Sequence, residues 1–514
     1  MALSSCILSR SFYPRQFFRY SCSLITKTRR SSTVELPSEK TAVLPFEKIP
    51  GVRGTIRNVL HHTFSEGNYF EKASKRFERF GPIYSERVLD TWILNINDLD
   101  SAAMILRNEG AFSRRPGLDD VPEIDDENKG MGLLSNKYER WYPERSLLSA
   151  RMLRPKEVRE SHPVLNEIAN EFVQGLKSIA QSDGTVNNIR EELSYWSVDS
   201  SVSFLLDHRL GFLNRRTDPL AAEFTHAAES MIENAASLFL TFPINKYIKT
   251  PSYYRFRKCK NKVQALGMDI IEEALAARQE REKGGIEKQF LLEYLQAMGK
   301  SKQQIMAIIT GLIAGSVDTT GTQSLWLLYH LSRHQDCQER LYQELVSALG
   351  TDEELSAKKF PSLLKAVVKE SQRIYPVAAS AIGRVLENDV ELKGYHIPAG
   401  VNIVIHEHLM MLNERYYGKD AKQFVPERWL RDEISGKKKD VNAFAYLPFG
   451  FGVRMCLGRR MAELMMYTLI SKILLNYRLE YAGKTEVKKC SSGGLMKPDK
   501  PIIIKFLPRE KNMI

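Results

Sequence analysis

Residues 448 to 458 read Pro448-Phe449-Gly450-Phe451-Gly452-Val453-Arg454-Met455-Cys456-Leu457-Gly458. Three glycines and a proline within this stretch make a tight loop. Helical periodicity follows at once, so the spacing predicts a helix from near Cys456 to about Asn476. A sulfur at a helix N-terminus meets free backbone N–H groups and the positive end of the helix dipole, and both favour the thiolate. The same donors withdraw electron density from the sulfur and so tune a metal bound to it. Gly458 allows a close approach to whatever the sulfur binds. Arg454 is placed to meet an anion nearby. The ordinary alternative is a buried cysteine in a glycine-rich turn, so the rest of the chain has to decide.

The chain has 514 residues, 43% of them hydrophobic and 26% charged, which suits a globular protein with a large core. Its 74 Lys and Arg against 62 Asp and Glu give a net charge of +12. Such a balance fits nucleic acid, a membrane surface, an acidic partner or a targeting segment. Residues 1–34 carry Arg10, Arg15, Arg19, Lys27, Arg29 and Arg30 with no Asp or Glu, and they are rich in Ser. That composition predicts a mitochondrial transit peptide, with residues 35–514 as the working domain. No N-terminal apolar run is long enough for a spanning anchor. The six cysteines are scattered without CxxC spacing, so neither a disulfide framework nor a zinc site is indicated.

Leu44 to Gly51 reads as a rigid stretch, because two prolines and a glycine stop a helix there. Val88 to Asn97 reads as strand. Apolar residues recur at helical spacing through 163–183, 190–207, 218–240 and 260–283. Ser301 and Gln304 match a capping box that opens a helix of about 50 Å, ending near residue 333. A helix over 361–374 stops before Pro376, and Val390 to Ile405 reads as a hairpin turning at Pro398-Ala399-Gly400. The expected fold is mainly α with a small β region, in a single domain.

Phe449, Gly452, Arg454, Cys456 and Gly458 form the string F-x-x-G-x-R-x-C-x-G, which resembles the haem-binding loop of the cytochrome P-450 family. The resemblance implies the single-domain P-450 fold, with haem b whose iron takes the Cys456 thiolate as axial ligand. The long helix carries Ala314-Gly315-Ser316-Val317-Asp318-Thr319-Thr320-Gly321, a polar cluster with two glycines that cost about 1 kcal/mol each against Ala. A local conflict of this kind suggests function. Asp318 and Thr319 are an acid–alcohol pair able to pass protons into a buried site. The segment is similar to the family's A-G-x-D-T-T region. Ser316 stands where the mitochondrial form has Gly, which could add a hydroxyl or narrow the groove beside the iron.

Glu370-x-x-Arg373 and Phe424-Val425-Pro426-Glu427-Arg428-Trp429 resemble two further family elements. They imply a structural triad of Glu370, Arg373 and Arg428 that holds the loop before Cys456. Trp141 and Arg145 lie at i and i+4 on one helix face. With Arg384 and Arg454, the resemblance makes them contacts of the haem propionates. Pocket-lining residues are expected from 111–135, Thr310, Ala314, 377–382 and 491–496.

Three marks resemble the mitochondrial branch: the basic N-terminus, Lys365 with Lys369 four apart on one helix face, and Gly458-Arg459-Arg460-Met461-Ala462-Glu463. The branch implies a monooxygenase on the matrix side of the inner membrane, peripherally attached. It acts with O2 on a lipophilic, sterol- or steroid-like substrate. The lysines would dock a 2Fe–2S ferredoxin of the adrenodoxin type, an encounter suited to electrostatic steering. A haem-thiolate isomerase or peroxide-using enzyme is the alternative within the fold, but that class tends to lose the acid–alcohol pair. A non-catalytic haem or lipid-binding protein would need neither the lysine pair nor the relay. The basic charge is thereby divided between import, propionates, the triad and electron delivery, and nucleic acid is not expected.

Overall fold

Ser301 opens the helix around which the other elements are built. In the computed structural model its Oγ accepts from the Gln304 amide at 3.2 Å, and Gln304 Oε1 accepts from the Ser301 amide at 3.1 Å. This reciprocal cap satisfies two of the free donors at the start of Lys302–Arg333. The structure describes residues 43–510 except 56–57, 59–68, 111–112, 117–132, 134–137, 215–217, 241–246, 283–290, 351–353, 379–380, 432–440 and 493–494. The expected transit peptide, 1–34, lies outside the described residues, as do most of 111–135 and parts of 377–382 and 491–496.

Helix Lys302–Arg333 is apolar and long enough to cross a membrane, yet 78% of its most apolar window is buried inside the protein. It is a core helix. Helices Ile189–Leu206, Pro219–Leu240, Pro251–Glu282, Ser362–Ile374 and Arg459–Asn476 pack against it. Leu325, Trp326, Leu327 and Leu328 are buried in succession, so this part of the helix is apolar all round. Each such side chain contributes about 1.5–3 kcal/mol by leaving water. Helices His162–Ile179 and Gln335–Leu349 pack in turn against Arg459–Asn476, and helix Tyr138–Met152 carries Trp141 and Arg145.

The β region is small. Strands β1 (Gly51–Val52), β2 (Ile83–Val88), β3 (Thr91–Ile96), β8 (Asn402–Ile405) and β5 (Ile382–Val385) form one sheet in the order β1-β2-β3-β8-β5. The expected strand 88–97 is the second arm of the β2–β3 hairpin, which turns with Leu89 at φ 56°. The hairpin expected over 390–405 is not one unit. Val390–Leu392 (β6) pairs with Tyr395–Ile397 (β7) across Lys393-Gly394, both at positive φ. Pro398-Ala399-Gly400 instead leads into β8, which runs parallel to β3 and antiparallel to β5. Strand β4 (Thr185–Val186) pairs with the C-terminal β12 (Ile504–Pro508), which pairs on its other side with β9 (Tyr477–Tyr481), and β10 (Lys489–Ser492) forms a hairpin with β11 (Leu495–Pro498).

Candidate active site

The cysteine loop folds back on itself. The Cys456 amide donates to Phe449 O at 2.9 Å, and Gly450 and Gly452 both sit at φ 71°, where other residues are strained. Helix Arg459–Asn476 starts with Gly458 as its N-cap. Burial pushes the Cys456 thiol up, while the Gly458 and Arg459 amides and the charges of Arg145 and Arg115 pull it back toward the thiolate. The Cys456 side chain is exposed. A Cβ on Gly458 would lie 4.0 Å from the sulfur.

The backbone leading to this sulfur is clamped group by group. Arg384 Nη2 donates to Phe451 O at 2.9 Å. Glu109 Oε1 accepts from the Val453 amide at 3.0 Å. Arg115 Nη2 donates to Arg454 O at 2.9 Å, and Arg145 Nη2 to Met455 O at 2.6 Å. Arg454 is held in turn by Ser113 O at 2.8 Å, with its guanidinium 3.7 Å from the centre of the Trp141 ring. Glu109 also accepts from Arg384 and from Ser113 Oγ. Burial and the charges of Arg115, Arg384 and Arg145 push Arg454 down to about 8. Burial and the charges of Arg384 and Arg145 push Arg115 down to about 10. A buried cluster of guanidinium groups favours carboxylates placed against it.

Trp141, Arg145, Arg384 and Arg454, four positions expected to act together, therefore converge around the loop. Glu109 and Arg115 join them and were missed. The signal for Arg115 was the basic string Arg114-Arg115-Pro116 inside a stretch expected to line an apolar pocket. Glu109 follows helix Leu99–Arg107 and offered no local signal, because its partners at the cysteine loop and at Arg384 lie more than 270 residues away.

The long helix shows one face to open space. A Cβ on Gly311 or Gly315 would meet nothing within 4 Å, and Thr319, four residues further, is half-buried. These three lie at i, i+4 and i+8, one stripe of a helix. The expected lining residues Thr310 and Ala314 are one residue out of phase. Both are buried, and Thr310 packs against Gly267 of helix Pro251–Glu282. Thr319 Oγ1 donates back to Gly315 O at 2.8 Å. Asp318 is buried on the neighbouring face. Its carboxylate lies 3.0 Å from Lys497 Nζ on β11 and 3.5 Å from Arg190 on helix Ile189–Leu206, and it accepts from Thr322 Oγ1 at 3.1 Å. Lys497 reaches Glu233 at 3.4 Å and Arg190 reaches Glu229 at 3.5 Å. A chain of ionisable groups thus runs from the buried Asp318 to partly exposed Glu233.

Ser316 does not narrow the groove. Its hydroxyl lies between its own helix and Ile189–Leu206, 2.6 Å from both Ser201 Oγ and Ile313 O, and Ser197 Oγ donates to Ser316 O at 3.0 Å.

Glu370 is a buried hub. Arg373 donates to both its oxygens at 2.9 and 2.8 Å, Arg428 Nε to Oε1 at 2.9 Å, Trp429 Nε1 to Oε2 at 2.8 Å and the Val425 amide to Oε1 at 2.9 Å. Arg373 also donates to Met411 O, Ala421 O and Gln423 O. The expected triad is formed and ties helix Ser362–Ile374 to the loop segments before Cys456. On the same helix Lys365 is exposed. Lys369 is half-buried, with Nζ 5.6 Å from the centre of the Trp429 ring.

These residues fit a planar iron macrocycle with two carboxylates: a sulfur backed by amides, guanidinium groups for the carboxylates, and a helix face stripped of side chains at Gly311 and Gly315. Comparison with known proteins agrees. The family model described as Cytochrome P450 matches residues 50–506. Cytochrome P450 10 of Lymnaea stagnalis is 30% identical over 95% of this chain and 90% of its own length. The mitochondrial cholesterol side-chain cleavage enzyme of Hypanus americanus is 32% identical over 84% of each chain. The human mitochondrial sterol 26-hydroxylase is 27% identical over 84% of this chain and 83% of its own.

Proposed function

This chain belongs to the cytochrome P450 family, and from that premise we propose that it is a mitochondrial member oxygenating a lipophilic, sterol- or steroid-like substrate. It is a haem-thiolate monooxygenase by class. When bound, the haem supplies O2 activation and C–H oxygenation, with thiolate donation favouring O–O cleavage. The observation that carries the reading is the Cys456 sulfur, backed by helix-start amides on a clamped loop.

In this reading Cys456 is the axial ligand, and Trp141, Arg145, Arg384 and Arg454 receive the propionates. Glu370, Arg373 and Arg428 keep the loop in place. Thr319 offers a hydroxyl beside the open face of its helix, and Asp318 holds a proton route that leads through Lys497 to Glu233. The glycine stripe leaves room for an apolar substrate next to that hydroxyl.

Electrons come from an adrenodoxin-type 2Fe–2S ferredoxin docking at Lys365, with Lys369 beside it. Residues 1–34 direct the chain to the mitochondrion, where it sits on the matrix side of the inner membrane. Exposed Tyr247, Ile248 and Tyr254 among the basic residues Arg255, Lys258 and Lys262 support peripheral attachment to an anionic lipid surface. The sterol-related relatives support the substrate class. Screening a sterol and lipid library for ligand-induced spectral shifts, followed by turnover with a mitochondrial ferredoxin, tests the reading. Saturable shifts and hydroxylated product with sterol-like ligands are expected. Response only to small polar compounds, or turnover supported equally by any reductant, would reject it.

A further inference from the structure

We propose that Glu109 is a positioning residue for the thiolate loop: it sets the conformation of residues 451–455 before any haem arrives and balances charge in the arginine cluster afterwards. The inference rests on Cys456 being the iron ligand.

Glu109 is buried and touches the loop from outside it. It follows helix Leu99–Arg107, and its carboxylate accepts from the Val453 amide, Ser113 Oγ and Arg384 Nε. Gly452, at φ 71°, lies so close that a Cβ there would overlap Glu109 Oε1. The glycine is therefore needed twice, for its backbone angle and for the approach of a carboxylate. The other clamps on this loop, Arg384, Arg115 and Arg145, all donate to carbonyls at Phe451, Arg454 and Met455. Glu109 takes the N–H between them. Without it, the Val453 amide and the Arg384 guanidinium would both lose a buried charged acceptor, which costs more than the hydrogen bonds themselves contribute.

Glu109 also brings negative charge to a place where guanidinium groups crowd. Removing that charge leaves the cluster more positive, which favours the reduced form of an iron held nearby and raises its reduction potential.

Three measurements separate the parts. In haem-free protein, amide exchange at Val453 is expected to quicken about tenfold in Glu109→Ala, the effect of one lost charge-assisted hydrogen bond. In loaded protein, Glu109→Gln is expected to keep thiolate ligation while its midpoint potential moves positive. Gly452→Ala is expected to reproduce the Glu109→Ala exchange. Unchanged Val453 exchange in Glu109→Ala, or an unmoved potential in Glu109→Gln, would overturn the proposal. Loss of the thiolate signature from the wild-type protein would instead overturn the assignment of Cys456.

Discussion

The carboxylate of Asp318, buried in the central helix, lies 3.0 Å from the ammonium of Lys497 on the C-terminal hairpin β10–β11. The pair joins the helix that carries Thr319 to a segment expected to line the pocket. If Asp318 passes protons, Asp318→Asn is expected to lower turnover by about 100-fold or more, within the range of general acid–base catalysis. Lys497→Met, which cuts the link to Glu233, is expected to give a smaller loss with a larger solvent isotope effect. Full activity and an unchanged isotope effect in both variants would exclude the route.

Glu370 is completely buried between Arg373 and Arg428. Glu370→Ala leaves two guanidinium groups buried against each other. The expected loss of stability is about 3–5 kcal/mol, read by denaturant unfolding, together with poor haem retention. A variant as stable as wild type would show that the triad is not what holds the loop.

Ser316 supplies a more local test. Ser316→Gly removes the hydroxyl that lies 2.6 Å from Ser201 Oγ and places a glycine in mid-helix. Together these are expected to cost about 1–3 kcal/mol. In a double-mutant cycle with Ser201→Ala, the two changes are expected to be non-additive by about 1 kcal/mol. Additive losses would mean that the serine pair contributes nothing jointly.

Burial pushes Glu407 up to about 8, although its own amide, that of Ile382 and the charge of Arg384 act against the shift. Its folded value exceeds its ordinary value of 4.5, so the folded state binds the proton more tightly. The stability this gives is complete below pH 4.5 and is lost as pH rises through 8. Glu407→Gln cannot ionise. Relative to wild type, the variant is therefore expected to gain stability steadily between about pH 5 and 8, by a few kcal/mol in total. A constant difference between the two melting curves across that range would refute the assignment.

Lys365 is exposed while Lys369 lies against Trp429. Lys365→Gln is therefore expected to weaken ferredoxin-supported turnover severalfold at low salt and to flatten its salt dependence, with Lys369→Gln doing less. Equal turnover and salt slopes in both variants and wild type would reject docking on this face.

What the sequence made legible was local. The capping box at Ser301, the loop glycines and the pairing of Glu370 with Arg373 all depend on neighbours within a few residues, and each formed. The strand partner of Asn402–Ile405 was not legible. Pro398-Ala399-Gly400 is a real turn, but a turn does not say which sheet receives the strand after it. The tighter signal was Lys393-Gly394, whose positive φ pair makes the short hairpin. The pocket face was misjudged by one residue, which on a helix is 100°. Thr310 and Ala314 are apolar or small enough for either face, and only packing against Gly267 shows which one Thr310 takes. Glu109 and Arg115 were hidden because their value lies in contacts with a loop more than 300 residues away.

The central claim is that the Cys456 thiolate binds the haem iron. The carbon monoxide difference spectrum of the reduced protein, recorded on wild type and on Cys456→Ser, tests it most directly. Expected is the strongly red-shifted Soret band of thiolate ligation in wild type, and its loss in Cys456→Ser. A wild-type protein whose band sits where neutral ligands place it, or a Cys456→Ser variant that keeps the thiolate band, would contradict it.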